Sequence, residues 1–137
     1  MADFNKVALL TFKDGRFLMC RKDHFTSRLI LPGGRIEPGE SEIQCLAREL
    51  AEELDAALPS DLRYVGRYLG VAHADDPAVV KTLEIRLYSG TLAAPPKPRS
   101  EIVELVWFGA GDDRDDLTPI LRDVILPDLT ARRIVAW

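Results

Sequence analysis

The sequence has few of the residues that form disulfides or bind transition metals. It contains two cysteines and two histidines in 137 residues. Cys20 and Cys45 form no CxxC pair, so we expect two buried thiols in a reducing compartment rather than a disulfide or a zinc site. His24 and His73 show no ligand spacing, and we expect both to be incidental.

The chain also lacks a long apolar run and a surplus of basic residues. No apolar run approaches the roughly 18 residues that a membrane span requires, and the N-terminus has no signal-peptide pattern. We therefore expect a cytoplasmic protein that does not bind a membrane. The formal net charge is -4, which argues against a nucleic acid polymer as partner. An acidic chain that binds a polyanionic substrate must supply positive charge locally, through a few Lys or Arg residues or through a metal.

The remaining composition, 47% hydrophobic and 29% charged, is typical of a soluble globular protein. The length fits a single domain over residues 1–137. Apolar and β-branched runs predict five strands, at 7–12, 17–22, 62–74, 79–92 and 102–108. Asp14-Gly15 favours a tight hairpin between the first two strands.

Two helices are predicted, and the residues between the strands and the first helix are expected to be loop. Pro32-Gly33-Gly34 is assigned to that loop. Ser41 and Gln44 form a capping box that begins a helix at about 41–54. A second helix is expected at about 117–133, kinked or split by Pro127. The order strands, helix, strands, helix predicts an α/β (α+β) fold with a mixed sheet covered on both faces.

Three carboxylates on the first helix are the most informative feature of the sequence. Glu49, Glu52 and Glu53 stand at i, i+3 and i+4, so they project from one side of the helix and repel one another. Oxygen ligands clustered on a rigid element suit Mg²⁺, with Mn²⁺ as an alternative. Gly33-Gly34 allows close backbone approach to an ion or a phosphate. A simply solvated helix face is the competing interpretation.

The whole segment resembles the signature motif of the Nudix hydrolase family. Gly34, five residues, Glu40, seven residues and then Arg48-Glu49-Leu50-Ala51-Glu52-Glu53 match that motif at the required spacing. The motif normally continues with Gly and an aliphatic residue, where this chain has Asp55 and Ala56. Asp tolerates the left-handed conformation often needed at a helix end. The resemblance implies a Nudix-like α/β/α sandwich in which a central mixed sheet is flanked by helices.

The resemblance also implies a metal-dependent phosphoanhydride hydrolase. Its metal ligands would be Glu49, Glu52, Glu53 and the carbonyl of Gly33, and its catalytic residues would be the three glutamates with Arg48. One glutamate would act as general base, whereas Arg48 would orient the glutamates and Glu40 would steady the loop before the helix.

Other residues near the motif are candidates for substrate binding. Those we assign to the phosphates are Arg21, Arg35, Gly33 and Gly34. Lys22 and Arg28 are further candidates, with ordinary surface charge as the alternative for each cation. A further carboxylate could come from Glu101 or Glu104. Trp107 and Phe108 could stack on a base, although core packing is expected for at least one of them.

The substrate is expected to be a small nucleotide. The motif resembles that of the mutator-type enzymes, and the proline or tyrosine typical of the ADP-ribose and diadenosine polyphosphate groups is missing from Leu69–His73. We therefore expect a (d)NTP pyrophosphohydrolase. The alternatives are an ADP-ribose or nucleotide-sugar pyrophosphatase, a catalytically silent nucleotide sensor, and a structural protein with solvated glutamates. The sequence leaves the oligomeric state open, with a homodimer as one alternative.

Overall fold

The computed structural model describes residues 2–137. The strands in this range are β1 (Phe4–Leu10), β2 (Phe12–Lys13), β3 (Arg16–Lys22), β4 (Gly33–Arg35), β5 (Arg63–His73), β6 (Val80–Ser89) and β7 (Ile102–Phe108). Helix α1 spans Glu42–Leu54, and the C-terminal helical segment consists of a π-helical turn, Leu121–Ile125, followed by α2, Leu126–Ala131. Within the described residues no helix has the length and apolar character to span a membrane.

The strands form two sheets. The larger has the order β4-β1-β6-β5, in which β1 and β6 are parallel and the other pairs antiparallel. The smaller sheet has the order β2-β3-β7 and is antiparallel throughout. The chain passes from one sheet to the other at Thr11, between β1 and β2. This division explains why the first strand predicted at 7–12 begins at Phe4 instead and is interrupted after Leu10.

Helices cover the sheets from two sides, around two apolar clusters. On one side α1 packs Leu46 and Leu50 against Val7, Leu9 and Leu18. On the other, the C-terminal helical segment packs against the opposite face of the larger sheet. The largest fully buried side chains there are Leu10, Phe17, Met19, Leu29, Leu87, Phe108 and Leu117. The predicted α+β fold with helices on both faces is confirmed, although its strands are shared between two sheets.

Helix α1 begins and ends as its sequence predicts. The Ser41 side chain accepts a hydrogen bond from the backbone N–H of Gln44, and the Gln44 side chain accepts one from the N–H of Ser41. Asp55 ends the helix in the left-handed region, at φ 52°, and its N–H donates to the Leu50 carbonyl. An aspartate therefore takes the conformation for which glycine is the usual choice. The predicted hairpin is also present, with positive φ at Asp14 and Gly15.

The assignment of Gly33 and Gly34 to a loop is wrong. Both belong to β4, which pairs antiparallel with β1 through Val7 and Ala8. Gly33 has φ 143°, and a Cβ built there would lie 2.1 Å from the Val7 carbonyl oxygen. The absence of a side chain is what allows this close approach, so these glycines lie in a short edge strand.

The C-terminal helix differs from the predicted single span of about 117–133. Leu117 forms a parallel bridge with Leu29, and Thr118 donates its backbone N–H to the Leu29 carbonyl, so both residues precede the helix. The π-helical turn then leads into α2 just before Pro127. Since proline has no N–H and disrupts a regular helix, the irregularity predicted at Pro127 is present as a change of helix type.

Candidate active site

A cavity of about 510 Å³ lies among β1, β4, the end of β3 and the start of the C-terminal helical segment. Its volume is within the usual range for small-molecule sites. One part of its wall is apolar, with Phe4, Phe25, Leu83, Ile85 and Ile120. The rest carries charged groups of both signs.

The acidic side of the cavity, which we define as Glu49 and Glu53, comes from α1. Glu53 is 2% exposed and lies behind the residues that line the cavity. Its Oε1 accepts the Gly33 N–H at 3.1 Å, whereas its Oε2 is buried without a hydrogen bond. Burial raises the pKa of Glu53 to about 7, although the neighbouring Lys22 ammonium opposes the shift. Glu53 is therefore a buried carboxyl with one oxygen that has no hydrogen bond and is approached by the Lys22 ammonium at 3.5 Å.

Glu49 lines the cavity itself. Its carboxylate lies where a Cβ of Gly34 would be, 2.2 Å from that position, and accepts a hydrogen bond from Arg48 Nη1 at 2.8 Å. Burial raises its pKa, against the effect of Arg48. Glu52 is different, because its side chain is 54% exposed and outside the cavity. The solvated-face interpretation therefore holds for Glu52 and is wrong for Glu49 and Glu53.

Arg48 joins the parts of the motif. Its Nε and Nη2 donate to the two oxygens of Glu40 at 2.7 and 3.0 Å, and Nη2 also donates to the Arg35 carbonyl at 3.1 Å. The Arg48 guanidinium, together with the Glu37 N–H, lowers the pKa of Glu40 to about 2. This geometry agrees with an orienting role for Arg48 and a structural role for Glu40.

The basic side of the cavity, which we define as Lys6, Lys22 and Arg35, comes from three different strands. Lys22 and Arg35 were among the sequence candidates. Lys6 was missed. Burial lowers its pKa to about 8, and the positive charges of Lys22 and Arg35 add to the shift. A signal was present, because Lys6 is the charged residue in the inward-facing series Phe4, Lys6, Ala8 of β1.

Arg21 is not brought to the cavity, contrary to its assignment as a phosphate ligand. Successive residues of a strand face opposite ways, and the guanidinium of Arg21 is held on the far side by both oxygens of Asp116, each at 2.7 Å. Arg28 is exposed and does not line the cavity either. Lys22, next to Arg21, is the residue that enters.

Of the candidate residues in and near β7, some line the cavity and others do not. Glu101 lines the cavity and contacts Lys22, whereas Glu104 pairs with Arg21. Phe108 is buried in the core and Trp107 packs partly against the α1 cluster, so neither faces the cavity.

The histidines and the cysteines also have defined positions in the structure. His24 and His73 line the cavity, which the sequence did not indicate. Both cysteines are buried free thiols, as predicted.

The donor set is suited to a hard divalent cation. In the described part of the chain, no three His, Cys, Asp or Glu side chains are already gathered around one point. Glu53 Oε2, however, is a buried carboxylate oxygen without a hydrogen bond, and the Glu49 carboxylate also belongs to this side. Carboxylate oxygens with water and phosphate make up the usual Mg²⁺ shell, so these residues fit such an ion.

Comparison with protein families shows the family of the chain. The sequence model of the NUDIX domain matches residues 5–126, which include all the residues of the acidic and basic sides. The chain belongs to the Nudix family.

One curated protein and two solved structures illustrate what the chain is similar to. A Mycobacterium tuberculosis protein with the provisional name 8-oxo-dGTP diphosphatase 2 is 38% identical over 96 residues, which are 69% of this chain and 63% of that protein. The MutT protein of Methanosarcina mazei Go1 has a similar structure, with TM-score 0.68 and 24% identity over 88% of each chain. The NUDIX domain of Shewanella oneidensis NrtR, solved with ADP ribose, has TM-score 0.58 and 18% identity over 80% of this chain and 74% of that one. At these identities the two solved structures support the fold alone.

Proposed function

We propose that the chain is a Mg²⁺-dependent hydrolase that cleaves the phosphoanhydride of a nucleoside diphosphate linked to another group, with a (d)NTP as the preferred substrate. The observation that carries this proposal is the buried Glu53 carboxylate, whose Oε2 has no hydrogen bond and lies beside a cavity lined by three cations. The name of the M. tuberculosis relative, an 8-oxo-dGTP diphosphatase, supports the same reaction class.

Glu49, Glu52, Glu53 and the carbonyl of Gly33 would hold the metal. When bound, Mg²⁺ would polarise a phosphoryl group and stabilise the anion that leaves. Glu52 would have to turn inwards to take part, because its side chain is exposed. Arg48 would keep Glu49 in position through the hydrogen bond between them.

The carboxylates of α1 would also accept the proton of the attacking water. Burial raises the pKa of Glu53 to about 7 in the metal-free protein, and a bound divalent cation would lower it, so the carboxylate would be ionised and able to accept a proton. Carboxylates this close share their titration, so we assign the proton to the acidic side as a unit.

The basic side would bind the phosphates, and the apolar wall would bind the nucleobase. Arg35 stacks over the Phe4 ring at 4.1 Å, which holds its guanidinium at the edge of the cavity. No salt bridge joins Lys6 or Arg35 to a carboxylate in the described residues, in contrast to Lys22. These two cations are thus available to an anion. Because a triphosphate carries more negative charge than a nucleotide sugar, it is the better match to them.

A substrate panel tests the proposal. Nucleoside triphosphates, 8-oxo-dGTP, ADP-ribose, nucleotide sugars and dinucleoside polyphosphates would be incubated with and without Mg²⁺, and pyrophosphate, phosphate and mononucleotide products separated. We expect Mg²⁺-dependent release of pyrophosphate from a triphosphate. Turnover of ADP-ribose or a sugar nucleotide instead would keep the reaction and correct the substrate.

Glu53→Gln provides the site control for that panel. The substitution keeps the size of the side chain and removes its charge, so we expect turnover to fall at least about a thousandfold with the fold intact by circular dichroism. Wild-type activity in this variant would exclude Glu53 from the reaction. Nucleotide binding without turnover by the wild-type protein would favour a sensor.

A further inference from the structure

We propose that Lys22 acts as an internal substitute for the metal. In the metal-free protein its ammonium neutralises Glu53 and separates it from the cavity. The ammonium is displaced when the divalent cation binds. This inference rests on the proposed function, because it concerns how the same site is kept closed before the metal arrives.

The position of Lys22 is the first argument. Its Nζ lies 3.5 Å from Glu53 Oε2, the buried oxygen that has no hydrogen bond. Glu53 is 2% exposed and does not line the cavity, whereas Lys22 does. An ion that approaches Glu53 Oε2 from the cavity therefore meets the Lys22 ammonium first.

The charge at this point is the second argument. A buried carboxylate without a partner is strongly disfavoured in a folded protein, and the Gly33 N–H satisfies only Oε1. The Lys22 ammonium, 3.5 Å from Oε2, supplies the opposite charge that this oxygen otherwise lacks.

A second carboxylate holds Lys22 in place. Its Nζ is 3.1 Å from Glu101 Oε1, so the ammonium bridges Glu53 of α1 and the residue just before β7. The pairing of β3 with β7 shifts register here, since Arg21 lies opposite Glu104 and Lys22 opposite Ile102. Such bulges commonly re-aim side chains next to active sites. The extra residue is Val103 of β7, so the irregularity lies beside Glu101 and opposite Lys22.

Two consequences follow for the metal. A divalent cation must compete with a tethered ammonium for Glu53 Oε2, which weakens its apparent affinity. Once displaced, Lys22 remains at the cavity, where its charge becomes available to a substrate phosphate together with Lys6 and Arg35. Metal binding and phosphate binding would then reinforce each other.

The test compares metal binding in two lysine variants with the wild-type protein. Lys22→Met removes the ammonium and keeps an apolar stem of similar length. Lys81→Met is the matched control, because it makes the same chemical change at an exposed residue of β6 that forms no salt bridge in the described chain. Mn²⁺ binding would be measured by electron paramagnetic resonance, and Mg²⁺ binding by the shift in Tm, both without substrate.

We expect Lys22→Met to bind Mn²⁺ on the order of tenfold more tightly than wild type. Without metal at pH 8 the variant should have a lower Tm than wild type, and Mg²⁺ should raise its Tm by more. Lys81→Met should match the wild type. Equal Mn²⁺ affinity in Lys22→Met and wild type, with both proteins folded, would overturn the inference and leave the metal site intact. Absence of Mn²⁺ binding in every protein would overturn the metal site and the inference together.

Discussion

The two charged sides of the cavity are built in different ways. Glu49 and Glu53 of the acidic side lie on one helix, and their neighbour Arg48 links Glu49 to the loop before it. The basic side collects its three cations from separate strands. Acidic groups at the site are already engaged by Arg48, Gly33 and Lys22, whereas Lys6 and Arg35 form no salt bridge within residues 2–137.

This difference indicates what each side is for. A carboxylate pair held by a guanidinium and a backbone N–H is fixed in orientation, as a metal site requires. A cation that burial disfavours and no carboxylate pairs, such as Lys6, is costly to the fold, and an anionic ligand would remove that cost. The site therefore lacks an anion at Lys6 and Arg35, whereas at Glu53 the Lys22 ammonium stands where a metal ion would bind.

Among changes that leave every charged side chain in place, the largest effect is expected from disrupting the acidic side through its backbone. In Gly34→Ala the new Cβ would fall 2.2 Å from the Glu49 carboxyl carbon, so Glu49 must leave its place beside Arg48. We expect kcat/KM to fall by roughly a hundredfold, or about 2.7 kcal/mol. Steady-state kinetics with saturating Mg²⁺ would measure it. Gly111→Ala, where a Cβ meets nothing within 4 Å, is the control, and equal activity in the two variants would show that Glu49 is not held by Gly34.

A smaller effect is expected from the basic side. Lys6→Met should raise the KM for a triphosphate about tenfold with little change in kcat, because the lost contact is made in both ground and transition states. Lys97→Met, an exposed change of the same kind, should leave KM unchanged. If KM stays the same in Lys6→Met, the amine does not contact the phosphates.

The same variant should be more stable without ligand. Since the folded-state pKa of Lys6 is lowered to about 8 from 10.5, the fold carries a penalty that is full below pH 8 and fades towards pH 10.5. At pH 7 removal of the amine should add about 1–2 kcal/mol of stability, or a few degrees of Tm. A lower Tm in Lys6→Met would contradict this.

An effect of similar size concerns how metal-free stability depends on pH. The pKa of Glu53 is raised from 4.5 to about 7, so its protonated form stabilises the fold below pH 4.5, and that stabilisation is lost as pH rises through 7. We expect Tm of the wild type to fall over this window by a few degrees relative to Glu53→Gln. Glu52→Gln, a change at an exposed carboxylate, should behave like the wild type. Parallel curves of Tm against pH for Glu53→Gln and wild type would show that burial does not disfavour the ionised form of Glu53.

Several features of the site were predictable because they depend on neighbouring residues. The capping box of Ser41 and Gln44 and the helical spacing of the glutamates both lie within one short segment, whereas the ion pair between Arg48 and Glu40 was not predicted. The end of α1 at Asp55 was predictable for the same reason, since a left-handed residue closes a helix locally.

Other features depended on contacts between distant parts of the chain. Helical spacing places Glu52 and Glu53 on the same side, yet one is exposed and the other buried, because only Glu53 lies behind β3 and β4. Arg21 and Lys22 are adjacent and both basic, and pairing with Asp116 removes Arg21 from the cavity. Gly33 and Gly34 resemble a loop in sequence, but their lack of side chains lets them pair closely with β1.

The sequence by itself determined the helix, the order of its charges and the family to which they belong, because these follow from spacing within a few turns of chain. The tertiary structure alone decided which carboxylate is buried, which lysine covers it, and that Lys6 enters the same cavity. Burial and ion pairing are set by residues that are far apart in sequence and meet only when the two sheets and α1 pack together.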